Sequence, residues 1–179
     1  MKKTSKSLLS RIQKIKLVLF DVDGVMTDGT ILVHPDGSES KSFDVRDGIA
    51  VRLGTRAGLK FGFLSGRMSP AVAERAKELG MEVCVQGATE KKQEFMKVLE
   101  SLHLTPDAVA YMGDDIVDVP VLRIAGFAAT VADGCEDAKR AAHYVCKASG
   151  GRGAARELVE LILKSQKRWN DVAGHYLSG

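Results

Sequence analysis

The alternation of short apolar runs with helical patterns is the feature that most constrains the fold of this 179-residue chain. The runs are nearly continuous rather than alternating, as expected of strands buried on both faces of a sheet. We predict strands at 15–20, 59–65, 81–86, 108–113, 127–132 and 143–146. Helical patterns lie at 48–57, 69–79, 89–103, 116–125, 135–142 and 153–168. This order predicts an α/β fold, a three-layer Rossmann-like parallel sheet with helices on both faces.

The segment 30–43 interrupts this alternation. It contains two strand-like runs around a Pro-Asp-Gly sequence, which predicts a small β-hairpin flap. The chain contains no stretch with the composition of an interdomain linker, so residues 15–169 are predicted to form a single domain. Residues 1–14 are predicted to be a flexible basic N-terminal extension, and residues 170–179 a C-terminal tail.

The distribution of charge and apolar residues argues against two classes of partner. The formal net charge is +3, but residues 1–16 carry six cations and no acid, so subtracting them leaves the rest of the chain at −3. The excess of basic residues is therefore confined to residues 1–16, and we predict no nucleic-acid partner. No apolar run reaches the length of about 18 residues that a membrane-spanning helix needs. Because the first apolar run also lacks a cleavage site, we expect a cytoplasmic protein without a membrane partner.

Polar residues that could act in catalysis or bind a metal follow four of the predicted strands. Because the carboxyl ends of parallel strands open at the same edge of a sheet, these residues are expected to converge there. They are Asp21 and Asp23 after the first strand, Ser65 after the second, Lys91 after the third, and Asp114, Asp115 and Asp118 after the fourth. Several carboxylates with one lysine and one hydroxyl indicate a site for magnesium-dependent phosphoryl transfer.

The acidic pair also occurs in two other kinds of protein site. An EF-hand calcium loop is excluded, because counting from Asp21 puts Val25 and Leu32 at positions that must supply ligands. A phosphorelay receiver domain is the non-enzyme alternative, since it also has a parallel sheet with an acidic pair. It needs a phosphoacceptor aspartate at the end of a central strand, where this chain has Phe63-Leu64-Ser65.

The motifs resemble those of a known group of enzymes. FDVDGVMTDG, LSGR, Lys91 and GDDIVD together resemble the haloacid dehalogenase superfamily of phosphotransferases. With SKSFDVRDG and GGRGAARE, the chain is similar in particular to the 3-deoxy-D-manno-octulosonate 8-phosphate phosphatase family, over roughly residues 15–165. The resemblance implies a phosphoric monoester hydrolase that acts on a phosphorylated sugar acid in lipopolysaccharide precursor biosynthesis. A nonulosonate 9-phosphate is the alternative substrate within the same branch.

The spacing of the motifs leaves no room for a cap domain. Only 43 residues separate Asp21 from Ser65, and the hairpin, one helix and one strand account for them. Without a cap the leaving group must be enclosed by another element, and the hairpin of a neighbouring subunit can do this. The family resemblance implies a homotetramer built in this way, with the GGRGA segment reaching an adjacent site.

The predicted chemistry divides the work between two aspartates. Asp21 is the expected nucleophile, which forms an aspartyl-phosphate, and Asp23 is the expected general acid and base. Ser65 and Lys91 are expected to complete the catalytic set by binding phosphoryl oxygens and offsetting their charge.

Metal and substrate ligands are predicted from the same motifs. Mg²⁺ is expected to be held by the Asp21 carboxylate, the Asp23 backbone carbonyl and Asp114, with Asp115 and Asp118 supporting these ligands and Lys91. Guanidinium groups match carboxylate and phosphate oxygens, so arginines near the motifs are candidates for substrate binding. The predicted substrate-binding residues are Arg46, Arg67, Arg152 and Gly66.

Overall fold

The computed structural model describes residues 6–177 of the chain. Its strands are β1 (Leu17–Phe20), β2 (Leu32–Val33), β3 (Glu39–Ser40), β4 (Lys60–Leu64), β5 (Val83–Val85), β6 (Val109–Met112), β7 (Phe127–Thr130) and β8 (Tyr144–Val145). Its α-helices are α1 (Lys6–Ile12), α2 (Val45–Arg56), α3 (Pro70–Leu79), α4 (Lys91–Ser101), α5 (Val119–Leu122), α6 (Glu136–Ala141), α7 (Ala154–Ser165) and α8 (Trp169–Leu177).

The main sheet has β1 near its centre. Within the described range, six strands pair in parallel in the order β5-β4-β1-β6-β7-β8. The remaining two strands, β2 and β3, form the separate antiparallel hairpin that the sequence predicts between β1 and α2. No helix within residues 6–177 is long and apolar enough to cross a bilayer.

Helices cover both faces of the sheet, because alternate residues of each strand point to opposite sides. Val18 and Phe20 of β1 face the side covered by α1, α2, α3, α7 and α8. Leu17 and Leu19 face the side covered by α4, α5 and α6. Every one of these four side chains is fully buried. The three-layer α/β fold predicted from the sequence is therefore confirmed.

The N-terminal segment differs from its prediction. Within residues 1–14, predicted as a flexible extension, the structure forms α1, and Ile12 at its end is fully buried. Gln166 after α7 donates hydrogen bonds to the carbonyl oxygens of Ile12 and Ile15, at 3.0 and 2.9 Å. An apolar face and these two bonds attach α1 to the domain. Residues 1–5 of the predicted extension lie outside the described residues.

The C-terminal segment is also helical where it is described. The predicted tail over 170–179 is largely α8, whose Val172 and Ala173 are buried in contact with the domain. Trp169 at its start lies under the cations of Arg156 and Lys164 on α7, at 5.7 and 4.9 Å from the ring centre. Residues 178 and 179 lie outside the described part of the chain.

Two of the sequence motifs meet at the start of α7. Asp47 of the VRDG motif is fully buried, and its carboxylate accepts hydrogen bonds from the amides of Gly153 and Arg156, at 3.3 and 2.7 Å. These amides belong to the first turn of α7, where backbone donors lack partners within the helix. Burial raises the pKa of Asp47 from 3.8 to about 6. A side chain from α2 thus caps α7.

The glycine pair before α7 packs directly on the loop that follows β1. A Cβ added at Gly150 would lie 1.8 Å from the carbonyl oxygen of Gly24, so only glycine fits this contact. The amide of Gly151 donates to the carbonyl of Val25 at 2.9 Å. The GGRGA segment therefore packs on the loop after β1 of its own chain, and its reach to an adjacent subunit's site stays a prediction.

We predict that Asp47→Ala lowers the free energy of unfolding by about 1–3 kcal/mol at pH 5, because the substitution leaves two partly buried amides without their acceptor. Urea unfolding measures this change. Asp137→Ala, at an exposed aspartate in α6, is the control and should change the unfolding free energy by less than about 0.5 kcal/mol.

The effect of Asp47→Ala should also depend on pH. The pKa of about 6 in the folded protein lies above the ordinary 3.8, so the folded chain binds this proton more tightly than the unfolded chain. The contribution of Asp47 is then largest at low pH and declines as the pH rises from 4 through 6. We expect the loss from Asp47→Ala to be about 1 kcal/mol smaller at pH 7.5 than at pH 5. A loss that grows with pH would contradict this assignment.

Candidate active site

A buried lysine joins two carboxylates at the carboxyl end of β1. Asp21 directly follows β1, and its amide donates to the carbonyl of Met112 at 2.9 Å. Lys91, the first residue of α4, places its Nζ 2.9 Å from Asp21 Oδ2 and 2.6 Å from Asp118 Oδ1. The side chains of all three are nearly or fully buried. The predicted convergence of Asp21 and Lys91 at one sheet edge is therefore observed.

Asp118 is the anchor of this arrangement. Its Oδ1 accepts a hydrogen bond from the Tyr111 hydroxyl at 2.5 Å, in addition to the one from Lys91. Its Oδ2 accepts from the amides of Asp114 and Asp115, at 3.0 and 3.2 Å. The carboxylate is thus held by donors at both oxygens. It fixes the lysine and the backbone of the acidic loop at the same time.

Asp114 lies against the glycine of the first motif. Gly24 adopts φ +85°, and a Cβ added there would lie 2.1 Å from Asp114 Oδ2. The other oxygen, Asp114 Oδ1, is buried and has no hydrogen-bond partner among the described residues. A buried carboxylate oxygen without a donor is costly unless a ligand satisfies it.

The site carries more negative charge than Lys91 balances. Burial, together with the charge of Asp118, raises the pKa of Asp21 from 3.8 to about 7. Burial and the charge of Asp21 raise the pKa of Asp114 to about 7 as well. Burial works to lower the pKa of Lys91, but the charges of Asp21 and Asp118 outweigh it, and the pKa is raised above 10.5.

This donor set fits a divalent cation with a preference for oxygen ligands. One oxygen each of Asp21, Asp114 and Asp118 lies within 4.8 Å of the others. Since protein donors hold both oxygens of Asp118, Asp21 and Asp114 are the carboxylates left for a metal. A cation would satisfy the orphaned Asp114 Oδ1 and offset the excess negative charge, as Mg²⁺ does in carboxylate sites.

A cleft of about 200 Å³ contains most of the predicted site residues. It is lined by Asp21, Asp23, Ser65, Gly66, Arg67, Lys91, Asp114, Asp115 and Val117. Ser65 is buried, and its Oγ accepts from the amide of Arg67 at 3.3 Å. The structure therefore brings together the predicted nucleophile, acid–base residue, hydroxyl, lysine and one predicted arginine.

Two predicted substrate arginines do not line this cleft. Arg46 pairs with Asp44 at 2.6 Å and also donates to the carbonyl of Arg152. Arg152 pairs with Asp28 at 3.3 Å. Both side chains are about two-thirds exposed, so they face solvent beside the GGRGA segment rather than the acidic cleft.

Asp115 also differs from its prediction. The sequence predicts that Asp115 supports the metal ligands and Lys91 together with Asp118, but its Oδ1 accepts from the amide of Ile116 at 2.7 Å. With Asp118 it forms a capping box at the start of the 3₁₀ turn Ile116–Asp118. Of these two acids, only Asp118 accepts hydrogen bonds from Lys91 and from the amide of Asp114.

Two side chains at the site were missed by the sequence analysis. Lys41 follows β3 in the hairpin, and its Nζ lies 2.5 Å from Asp23 Oδ1. Nothing separates it in the sequence from an ordinary exposed strand lysine. Tyr111 lies within an apolar strand, where its ring resembles any core aromatic residue, and only the structure shows that its hydroxyl donates to Asp118.

The fold and the acidic cleft define a phosphoryl-transfer hydrolase of the haloacid dehalogenase class. In agreement, the family model for the haloacid dehalogenase-like hydrolases matches residues 85–158. The Escherichia coli K12 enzyme 3-deoxy-D-manno-octulosonate 8-phosphate phosphatase KdsC is 36% identical over 170 residues, which are 95% of this chain and 90% of that protein. The Yersinia pestis enzyme of the same name is 37% identical over 93% of this chain and 89% of its own length.

Solved structures agree with these relatives. A probable YrbI family phosphatase from Pseudomonas syringae has a TM-score of 0.94 and 41% identity, covering 98% of this chain and 99% of that one. The 3-deoxy-D-manno-octulosonate 8-phosphate phosphatase from Moraxella catarrhalis, solved with magnesium, phosphate and the sugar acid, has a TM-score of 0.94 and 34% identity, covering 97% and 99%. The chain belongs to the 3-deoxy-D-manno-octulosonate 8-phosphate phosphatase family, which confirms the resemblance drawn from the motifs.

We predict that Gly24→Ala lowers turnover of a phosphate ester by at least about 100-fold, because the added methyl group displaces the Asp114 carboxylate. Gly37→Ala is a matched control, since Gly37 in the hairpin turn has φ +82° and an added Cβ there meets nothing within 4 Å. Both variants should lose about 1 kcal/mol of stability from backbone strain. Comparable turnover in the two variants would show that the contact with Asp114 is unimportant.

Proposed function

We propose that this protein is a magnesium-dependent phosphatase that hydrolyses 3-deoxy-D-manno-octulosonate 8-phosphate to the free sugar acid and phosphate. The observation that carries the proposal is the buried Asp21 carboxylate at the end of β1, held by Lys91 in a cleft with Ser65, Asp23 and Asp114. The names of the similar enzymes favour the eight-carbon sugar acid over a nonulosonate 9-phosphate. The reaction belongs to lipopolysaccharide precursor biosynthesis, and a cytoplasmic location stays a prediction.

In the proposed reaction, an oxygen of Asp21 attacks phosphorus as the bond to the sugar oxygen breaks. Asp23 gives a proton to the departing sugar oxygen. Water then attacks the aspartyl-phosphate, Asp23 accepts a proton from that water, and Asp21 is released together with phosphate. The position of Asp23 two residues after Asp21, with both side chains lining one cleft, supports this division of labour.

Other residues of the cleft are proposed to bind the phosphoryl group. The Ser65 hydroxyl and the backbone amide of Gly66 belong to the same cleft lining as Asp21, and we propose that they donate to phosphoryl oxygens. Lys91 offsets negative charge while Asp118, which also accepts a hydrogen bond from Tyr111, holds it in place. Asp21, Asp114 and the Asp23 backbone carbonyl would hold Mg²⁺, which supplies positive charge to the phosphoryl group when it is bound.

Recognition of the sugar acid is proposed to involve Arg67 first. Its guanidinium is half-exposed at the cleft and pairs with Glu39 of the hairpin at 2.9 Å, so a substrate carboxylate can compete for it. A substrate role for Arg46 and Arg152 stays a prediction. It requires that the active-site cleft of a neighbouring subunit lies next to these two arginines.

We predict that Asp21→Asn abolishes phosphate release from 3-deoxy-D-manno-octulosonate 8-phosphate, with a loss of at least about 1,000-fold, because the amide cannot attack phosphorus. Asp137→Asn, at an exposed aspartate of α6 that does not line the cleft, is the control, and its turnover should stay within about 3-fold of the wild type. Phosphate release and thermal unfolding are measured on both variants. Turnover by Asp21→Asn at the wild-type rate would refute the nucleophile and the proposed mechanism.

We propose that the protein assembles as a homotetramer through the hairpin. Leu32 and Val33 of β2 are 59% and 68% exposed, and Val45 and Ile49 at the start of α2 are exposed as well. Large exposed apolar patches mark protein interfaces, and these four residues are candidates for such a patch. Since residues 6–177 include no cap domain over the cleft, a neighbouring hairpin would enclose the leaving group.

We predict that Val33→Ser combined with Leu32→Ser shifts the protein from tetramer to smaller species at micromolar concentration, as measured by light scattering. Turnover of the sugar phosphate should fall together with assembly. Val145→Ser is the matched control, because Val145 is an exposed valine on the edge strand β8 and should leave the mass unchanged. A wild-type protein that is monomeric and fully active would contradict the role of assembly.

A further inference from the structure

The hairpin places a lysine with a fully buried side chain at the edge of the active site. The side chain of Lys41 is 0% exposed, and its Nζ lies 2.5 Å from Asp23 Oδ1 and 3.7 Å from Glu39 Oε1. A buried ammonium group is costly to desolvate unless carboxylates pair with it. The hairpin is therefore seated on the loop after β1 by an ion pair whose loss would leave a buried charge.

The two oxygens of Asp23 face different cations. Oδ1 accepts the hydrogen bond from Lys41, whereas Oδ2 lies 3.7 Å from Arg67 Nε, beyond hydrogen-bond distance. The Arg67 side chain is 53% exposed and also pairs with Glu39. Oδ1 is therefore held by a buried partner, whereas Oδ2 has only a half-exposed arginine nearby and no hydrogen bond to it.

The carboxylate of Asp23 also lies apart from the acidic cluster. Among the described residues, the oxygens that gather within 4.8 Å belong to Asp21, Asp114 and Asp118, and Asp23 is not one of them. Its side chain instead points towards the hairpin, while its residue still lines the cleft. The direction of this carboxylate is thus set by the hairpin rather than by the other acids.

We propose that Lys41 is a positioning residue that holds Asp23 Oδ1 so that Oδ2 is the atom that exchanges protons with the leaving group and with water. The proposal rests on the proposed phosphatase function and deepens it. When the phosphorus–oxygen ester bond breaks, the proton moves from Oδ2 to the sugar oxygen. When water attacks the aspartyl-phosphate, Oδ2 takes a proton from that water, and Oδ1 keeps its bond to Lys41 throughout.

The test compares two leaving groups in Lys41→Met. A sugar oxygen needs a proton to depart, whereas p-nitrophenolate does not. We expect single-turnover cleavage of 3-deoxy-D-manno-octulosonate 8-phosphate to fall about 100-fold, the size of a typical loss of acid catalysis. The burst of p-nitrophenol from p-nitrophenyl phosphate should stay within about 3-fold of the wild type, because it reports attack by Asp21 alone.

Two further variants separate positioning from structure. Lys41→Arg should recover at least about a tenth of the wild-type rate on the sugar phosphate, because a guanidinium can also donate to Oδ1. Lys60→Met, at an exposed lysine paired with Glu82, makes the same change away from the site and should leave both rates unchanged. Light scattering on every variant reports whether assembly is kept.

Several results would overturn the proposal. These are equal losses on the two esters in Lys41→Met, unchanged rates on both, no recovery in Lys41→Arg, or a change of mass that accounts for the loss. Glucose 6-phosphate is assayed beside the sugar acid phosphate as a second alkyl ester. If the wild type cleaves only glucose 6-phosphate, the proposed substrate fails, while the comparison of leaving groups still decides the role of Lys41.

Discussion

The ion-paired chain from Asp21 through Lys91 to Asp118 is the interaction on which the rest of the site depends. Each member comes from a different segment: the end of β1, the start of α4 and the turn after β6. A buried lysine between two buried carboxylates is stable only when all three are in place, since removing one leaves an uncompensated charge. Correct packing of the sheet and correct assembly of the catalytic groups are therefore the same requirement.

Most of the fold could be predicted because its strands are buried on both faces. Continuous apolar runs separated by helical patterns define a parallel sheet, and the predicted strands and helices between residues 15 and 169 correspond to observed ones. The ends of the chain could not be predicted in the same way. A basic composition resembles a solvated tail, but α1 buries Ile12 through an apolar face that only contact with α7 makes apparent.

The site was predictable where chemistry follows a strand and unpredictable where it depends on a long-range contact. Asp21, Ser65, Lys91 and Asp114 lie at strand ends or helix starts, so topology alone brings them together. In VRDG and GGRGA the sequence points to the arginines as substrate-binding residues. The residues of these motifs that stabilise the fold are instead the aspartate that caps α7 and the glycines that pack against the loop after β1. Lys41 is hidden for a similar reason, because a lysine buried by tertiary packing has no local signature.

The contact between Gly150 and Gly24 has a consequence for the order in which the molecule becomes competent. The first catalytic motif is synthesised about 125 residues before the turn that packs against it. During translation the loop after β1 therefore lacks its contact with Gly150 until nearly the whole domain has been made. A nascent or truncated chain that ends before this turn carries every catalytic side chain and still lacks the finished active site.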